Sequence, residues 1–421
     1  ADSMNARHTN VAFNYIKHAD ALLYVTYFNH AFSRADRDFL KQLGRVKDAF
    51  QLDKMFFLIN ASDLAENKDE LKLVIQYVEE QLQAFGIRLP RLYPISSKNS
   101  LLEKQRKIPL NEEMANFEAA FYRFIHQDLT ALTVQSAIRE MKRIHDALEE
   151  YIASIQLDES EKQKRIQSLT EKKDKLTETI SAFETAIYEK NIRDKVEKQL
   201  HYVLERLSIR FHDLFKDSFN PTTVTESGKK AHEQLRKNTE QLLEYVSFEL
   251  HQEIQAVTLR VEAFLTEQAE HLYQRLGSYA ENIDRLFTLS DWKRKNWNTP
   301  TIERGLENID IALFDQALKK YKGTKSFFVH NEKERMKEEL FALLSPFAEQ
   351  YVRANQTQIS EAYLSQWNRN TEAMKKEMMA TIRKTLENYR AMIGSEVNLS
   401  QFQNSLEIIQ KELQNNRIED M

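Results

Sequence analysis

Met55-Phe56-Phe57-Leu58-Ile59-Asn60-Ala61-Ser62-Asp63 reads as a strand that runs out into a polar loop. The apolar run is short, aromatic and β-branched at its end, the character of a parallel strand buried on both faces. Working outward, Ala21-Leu22-Leu23-Tyr24-Val25-Thr26-Tyr27 has the same character, and Leu92-Tyr93-Pro94-Ile95 is a shorter third run. Pro94 lacks an N–H for a sheet ladder, so this strand belongs at an edge or a strand end. Helical periodicity covers Val11–Lys17, Phe32–Phe50, Leu64–Phe85 (stopped by Gly86) and Asn111–Ile125. Helices alternating with strands predict a doubly wound α/β domain over residues 1–127.

Ligands of such sheets bind at the carboxyl ends of the strands. Asn60-Ala61-Ser62-Asp63 follows the second strand and Ser96-Ser97-Lys98 follows the third. A carboxylate at Asp63 can accept two parallel hydrogen bonds from the N–H groups of guanine's Watson–Crick edge. Adenine offers no such pair, and the unpaired groups it would leave make the discrimination large. Backbone N–H groups around Ser96 and Ser97 could then meet the guanine carbonyl, with Lys98 completing that wall. The same residues have plain structural uses: Asp63 as an N-cap before Leu64, Ser96-Ser97 as turn residues.

Three stretches carry a resemblance: Ala1-Asp2-Ser3-Met4-Asn5-Ala6-Arg7-His8-Thr9, Tyr27-Phe28-Asn29-His30-Ala31-Phe32-Ser33-Arg34-Ala35-Asp36, and Asp53 through Ala65. Together they resemble the bacterial dynamin-like GTPases, closest to the second head of the two-headed type found in Bacillus-like bacteria. The resemblance implies that residues 1 onward are switch II, with Asp2 and Ser3 contributing to it. It implies that Asp63 recognises the base, that Asn60 orders the loop, and that Ser96, Ser97 and Lys98 form the other wall. Ala61 stands where the family's Asn/Thr-Lys-x-Asp motif has lysine, which removes the usual aliphatic cover over the base. The resemblance further implies GTP and Mg2+ in the intact protein, self-association through heads and trunk, and remodelling, tethering or fusion of membrane. The expected location is the cytoplasmic side, peripheral at the inner face of the plasma membrane.

A phosphate-binding loop needs Gly-x-x-x-x-Gly-Lys-Ser/Thr, whose amides and lysine cradle the phosphates. No such motif occurs in residues 1–421; Ser227-Gly228-Lys229-Lys230 lacks the first glycine and the hydroxyl. The chain also opens without methionine. It therefore reads as a dynamin-like protein cut within its GTPase domain. It is expected to bind no cofactor tightly and to turn over no GTP alone. The alternative is a non-catalytic helical scaffold or tether that retains part of a head.

Beyond Leu129 the text is long helical periodicity, predicted over 129–157, 159 to about 215 with a break near Glu189, 230–277, 333–393 and 400–414. Ile166, Leu169, Leu176, Ile180, Phe183 and Ile187 form a coiled-coil-like seam. The fold class is thus α/β plus all-α: a partial GTPase domain (1–127), neck and trunk helices in antiparallel bundles (128–281), a tip- or paddle-like segment (282–332) and returning helices (333–421). The irregular segment is the expected membrane contact. Trp292, Lys293, Arg294, Lys295 and Trp297, then Lys322, Lys325, Phe327 and Phe328, interleave aromatic rings with cations, which suits an anionic bilayer surface. The same rings also suit a core under a loop.

Composition excludes the rest. Seven glycines and six prolines in 421 residues are too few for a tight-turned all-β protein. The absence of cysteine removes disulfides, thiolate metal sites and cysteine nucleophiles. A net charge of −4 gives no global footprint for nucleic acid, and none is expected as a partner. No run reaches the ~20 apolar residues of a membrane span. His212-Asp213 has no further ligands beside it, and no metal site is expected.

Overall fold

The computed structural model describes residues 19–32, 40, 54–85, 87, 89–329, 332–393 and 399–419. Asp2 and Ser3, the Val11–Lys17 helix, most of Phe32–Phe50 and Gly394 lie outside the described residues. β1 (Leu22–Tyr27), β2 (Met55–Asn60) and β3 (Arg91–Ile95) form a parallel sheet in the order β1-β2-β3. β2 is central and buried from Met55 to Ile59, as its unbroken apolar run requires. Its alternate side chains serve two cores. Met55, Phe57 and Ile59 pack with Val78 and Leu82 of α1 (Lys68–Ala84). Phe56 and Leu58 pack with Ile95 and with Phe117 of α3 (Glu112–Arg123). Helices thus cover both faces, and the Arg91 guanidinium lies 5.3 Å from the Phe56 ring centroid. α2 (Ser97–Arg106) follows β3. Among the described strands Pro94 sits at the sheet edge, where its missing N–H costs nothing.

α1 begins at Lys68 and not at Leu64, because Asn67 caps it: its side chain accepts from the Asp69 and Glu70 N–H groups. The backbone stays helical from α3 through a wide π-type turn at Phe124–Leu129 into α4 (Thr130–Ile155). Such turns insert one residue into a helix and recur at functional positions.

The trunk is built on three runs. α5 (Glu159–Ala182) and α6 (Ala186–Ser218) ascend. α7 (Lys229–Ile283) descends over 55 residues, about 80 Å. α8 (Glu332–Ile393) descends again over 62 residues, with Pro346 inside it. Arg206 and Arg210 of α6 reach Glu253 and Glu249 of α7 at 3.0 and 3.2 Å. Lys337 of α8 meets His212, Trp367 stacks on Tyr188, and Arg390 donates to Thr170, which fixes α8 antiparallel to the α5–α6 run. α4 and α9 (Leu399–Glu419) pack together beside the lower end.

The expected seam is real at Leu169, Leu176 and Ile180, which are buried. Ile187 is exposed instead. The break at residues 183–185 shifts the helical phase, so α6 buries Tyr188, Ile192, Val196 and Leu200. Lys375 closes the break by donating to the Phe183 carbonyl at 2.8 Å. The charged stretch Glu159–Arg165 opens α5 and ends in a residue that turns toward its neighbours. Arg165 bridges Glu150 and Asp284, and Lys172 adds a 2.8 Å bond to Asp284. Burial pulls the Asp284 carboxyl up; the Lys172 and Arg165 hydrogen bonds and the Leu286 N–H outweigh it, so it titrates below the ordinary range. α7 runs past Gly277, where a helical glycine meets no neighbour within 4 Å.

Residues 284–329 are irregular, as read from sequence, but they do not project as a tip. They run back along the bundle in the groove between α7 and α8. Trp297, Ile302, Phe314, Leu318 and Phe327 are buried in the trunk core. With little secondary structure of its own, this strap satisfies its backbone through the helices' side chains. Gln366 both donates to Asn298 O and accepts from Asn298 N at 2.8 Å. Gln358 donates to Thr301 O at 2.9 Å and Tyr351 to Glu303 O at 2.6 Å. Ser247 donates to Gly305 O, and in the reverse sense the strap's own Tyr321 donates to Glu226 O of the α6–α7 loop at 3.0 Å.

Candidate functional site

The carboxyl ends of β2 and β3 are tied by one side chain. Asn60 Oδ1 accepts from the Ala61 N–H at 2.9 Å and from the Ser97 N–H at 3.1 Å. The bond spans 37 residues of sequence and joins the two loops named from sequence. Ala61 takes the left-handed conformation, φ 64°, unusual for a residue with a Cβ. That bend launches the single turn Ser62–Leu64 and leaves Asp63 exposed on it. Asp63 caps no long helix, since Asn67 holds that position.

Ser96 is buried and caps α2, its Oγ accepting from the Asn99 N–H at 3.3 Å. The Ser97 N–H is already donated to Asn60. The Lys98 N–H remains the first-turn donor of α2 without a protein acceptor among the described residues. The Ser97 and Lys98 side chains are exposed. Helix N-termini carry partial positive charge, so this edge can meet a carbonyl while Asp63 meets N–H donors. The turn Phe28–His30 after β1 packs against Ser62–Leu64 and adds exposed Asn29 and His30 to the rim. Sequence reading passed over these two; their place at a third strand end was the available signal.

The membrane-contact candidates separate. Trp297 is 5% exposed, its indole N–H bonded to Thr266 Oγ1 at 2.9 Å and its ring stacked on Trp367. Phe327 is fully buried against Phe219, Tyr321 and Phe328. Both are core residues in this structure, because the strap needs anchors. Trp292, Lys295 and Phe328 are half-buried; Lys293, Arg294, Lys322 and Lys325 are exposed. The two basic–aromatic stretches also lie apart. Residues 292–297 follow Asp291, which Ser136 and Arg139 of α4 hold. Residues 319–329 sit at the far end, where α6 turns into α7 and Val329 is exposed. There Phe211, Phe215 and Phe219 stack in series, and Phe327 meets Phe219 at a tilt. Lys333 lies over the Phe215 and Phe328 rings; burial, with Lys216 and Lys337 nearby, lowers its pKa.

Among the described residues His145, Asp146 and Glu149 place one ligand atom each within 4.8 Å of one another. The carboxylates are exposed, and Gln410 already contacts His145 Nε2 at 3.1 Å. No described helix is long and apolar enough to cross a membrane.

Residues 1–77 match the Dynamin family. Over 396 residues the sequence is 31% identical to Dynamin-like protein A of Bacillus subtilis (strain 168), covering 92% of this chain and 32% of the relative. It is 25% identical over 146 residues to an uncharacterized protein in the xynA 3' region of Caldicellulosiruptor sp. (strain Rt8B.4), covering 33% of this chain and 34% of that protein. The chain thus spans about a third of the length of these relatives. A solved structure, described as an oligomerised bacterial dynamin pair that provides a mechanism for long-range sensing and tethering of membranes, superposes with a TM-score of 0.30 at 14% identity. That superposition covers 98% of this chain and 58% of the other, and is too loose to bear on the fold. The chain is thus similar to the Dynamin family over the residues that hold β1 and β2, and to Dynamin-like protein A along nearly its whole length.

Proposed function

We propose that the sheet is the base-recognising half of a GTPase head, and that the trunk carries its work to a membrane. The single observation behind the first part is the Asn60 bridge, which holds the Asp63 turn and the start of α2 as two walls of one site. Asp63 accepts from the guanine N–H groups and the Lys98 N–H faces the base carbonyl. GTP and Mg2+ belong to the intact protein, and GTP hydrolysis requires a phosphate-binding loop that residues 1–421 do not contain. Asp2 and Ser3 are proposed as switch II. The output is membrane remodelling, tethering or fusion by a peripheral protein on the cytoplasmic face, with self-association through heads and trunk.

The test is base selectivity in the full-length protein. Asp63→Asn exchanges a double acceptor for a group that can donate, so preference should pass from guanine to xanthine nucleotides. A change of about 100-fold or more in the GDP/XDP affinity ratio is expected, because buried polar mismatches discriminate strongly. An unchanged ratio would remove Asp63 from the site. GTP turnover by residues 1–421 alone would overturn the division of the head.

A further inference from the structure

The arch Asp291–Trp297 covers a cavity of about 140 Å3 that the bundle leaves unfilled. Its floor is Met374 and Met378 of α8 with Ala269 of α7, all buried, and its walls include Tyr273, Trp292 and Trp297. The lining also includes the polar Ser290, Asn370, Thr371 and Thr381; the apolar floor suits the hydrocarbon part of a guest, and a volume of ~150 Å3 admits one the size of benzene. The arch is held open from three sides. Asp291 is pinned to α4 by Arg139 at 2.8 and 3.0 Å and by Ser136 at 2.7 Å. Lys295 bonds Glu377 of α8 at 3.0 Å, and Trp297 is fixed to Thr266 of α7.

Charge at the mouth is unbalanced. Both carboxylates are already neutralised, Asp291 by Arg139 and Glu377 by Lys295. Lys293 lines the cavity, is exposed and has no partner among the described residues. We propose that this cavity binds a free, monomeric amphiphile, with an apolar part of about six carbons on the methionine floor and an anionic head on Lys293. Methionine's unbranched thioether adapts to chains of varied shape. The site lies apart from the exposed Lys322 and Lys325 at the trunk's far end and does not depend on the base site.

Tryptophan fluorescence reads the site directly: two of the chain's three tryptophans line it and the third, Trp367, stacks on Trp297. The chain is titrated with octanoate and, as the charge-reversed probe, with octyltrimethylammonium. Octanoate should give a saturable change and the cation none. Lys293→Ala, an exposed substitution, should weaken octanoate roughly tenfold, the scale of one charge-assisted hydrogen bond. Ala269→Leu should fill the floor and abolish binding; a thermal melt near that of the parent shows that the variant is folded. Sedimentation with anionic vesicles should be unchanged in both variants. Equal responses to the two probes, no saturable response, or unchanged octanoate affinity in Lys293→Ala would each overturn the proposal. Loss of vesicle sedimentation without monomer binding would do so too, by making the arch a bilayer contact.

Discussion

Asn60 carries two loops on one oxygen, and the sequence displayed only part of this. That Asn60 orders the loop after β2 was implied by the resemblance; that it consumes the Ser97 N–H was not legible, because nothing local links residues 37 apart. Asn60→Ala leaves both N–H groups without that acceptor and should cost ~1–3 kcal/mol by chemical denaturation. Guanine nucleotide affinity in the full-length protein should fall with it. Glycines make a second comparison. A Cβ at Gly305 would lie 2.3 Å from a Tyr351 ring carbon, so Gly305→Ala should destabilise by ~1–3 kcal/mol as the strap is forced off α8. Gly277→Ala meets open space inside a helix and should stabilise by ~0.5–1 kcal/mol. Melting temperatures moving in opposite directions would confirm the pair. Trp297 and Phe327 show where single-residue reading runs out. A ring beside a lysine suits a bilayer or a core equally, and only the neighbours Thr266, Trp367 and Phe219 decide.

Elements were easier to read when periodicity was long. The runs that became α5 to α8 were legible because apolar spacing of three and four residues persists for many turns. Their ends were not. Gly277 looked like a stop but is interior to α7, while the α5–α6 break falls at 183–185, where no glycine or proline marks it. The strap was the least legible element, since its order comes from side chains on other helices. One of these makes it sensitive to alkali. Burial pushes the Tyr351 phenol up to about 12, against hydrogen bonds that pull it down. The folded state therefore favours the neutral form. Its contribution is complete below the unfolded value near ~10 and is lost as pH rises toward 12. Thermal melts between pH 9 and pH 12 should show this loss in the parent, and Tyr351→Phe should reduce it, with buried Tyr363 and Tyr389 and half-buried Tyr151 and Tyr273, also raised, supplying the remainder.

At the scale of the whole trunk, three lysines stand out at its far end. Lys319, Lys322 and Lys325 are exposed there and have no ion-pair partner among the described residues. Anionic headgroups attract each at ~1 kcal/mol, so reversing all three to glutamate should cut anionic-vesicle binding more than 100-fold. Binding by the parent should also weaken as salt rises. Unchanged sedimentation would move the membrane contact elsewhere.

The path of the strap has a consequence for biosynthesis. Its hydrogen-bond partners Tyr351, Gln358 and Gln366 lie downstream of it in the chain. From the moment Trp297 is translated, about 70 further residues must be made before Gln366 exists. At ribosomal rates that is roughly 4–14 s. Through that interval the groove has only one wall, and the α7 face that ends fully covered is bare. The nascent chain therefore passes through a timed, sticky stage, when a chaperone or a neighbouring ribosome's product can reach a surface the finished molecule never shows.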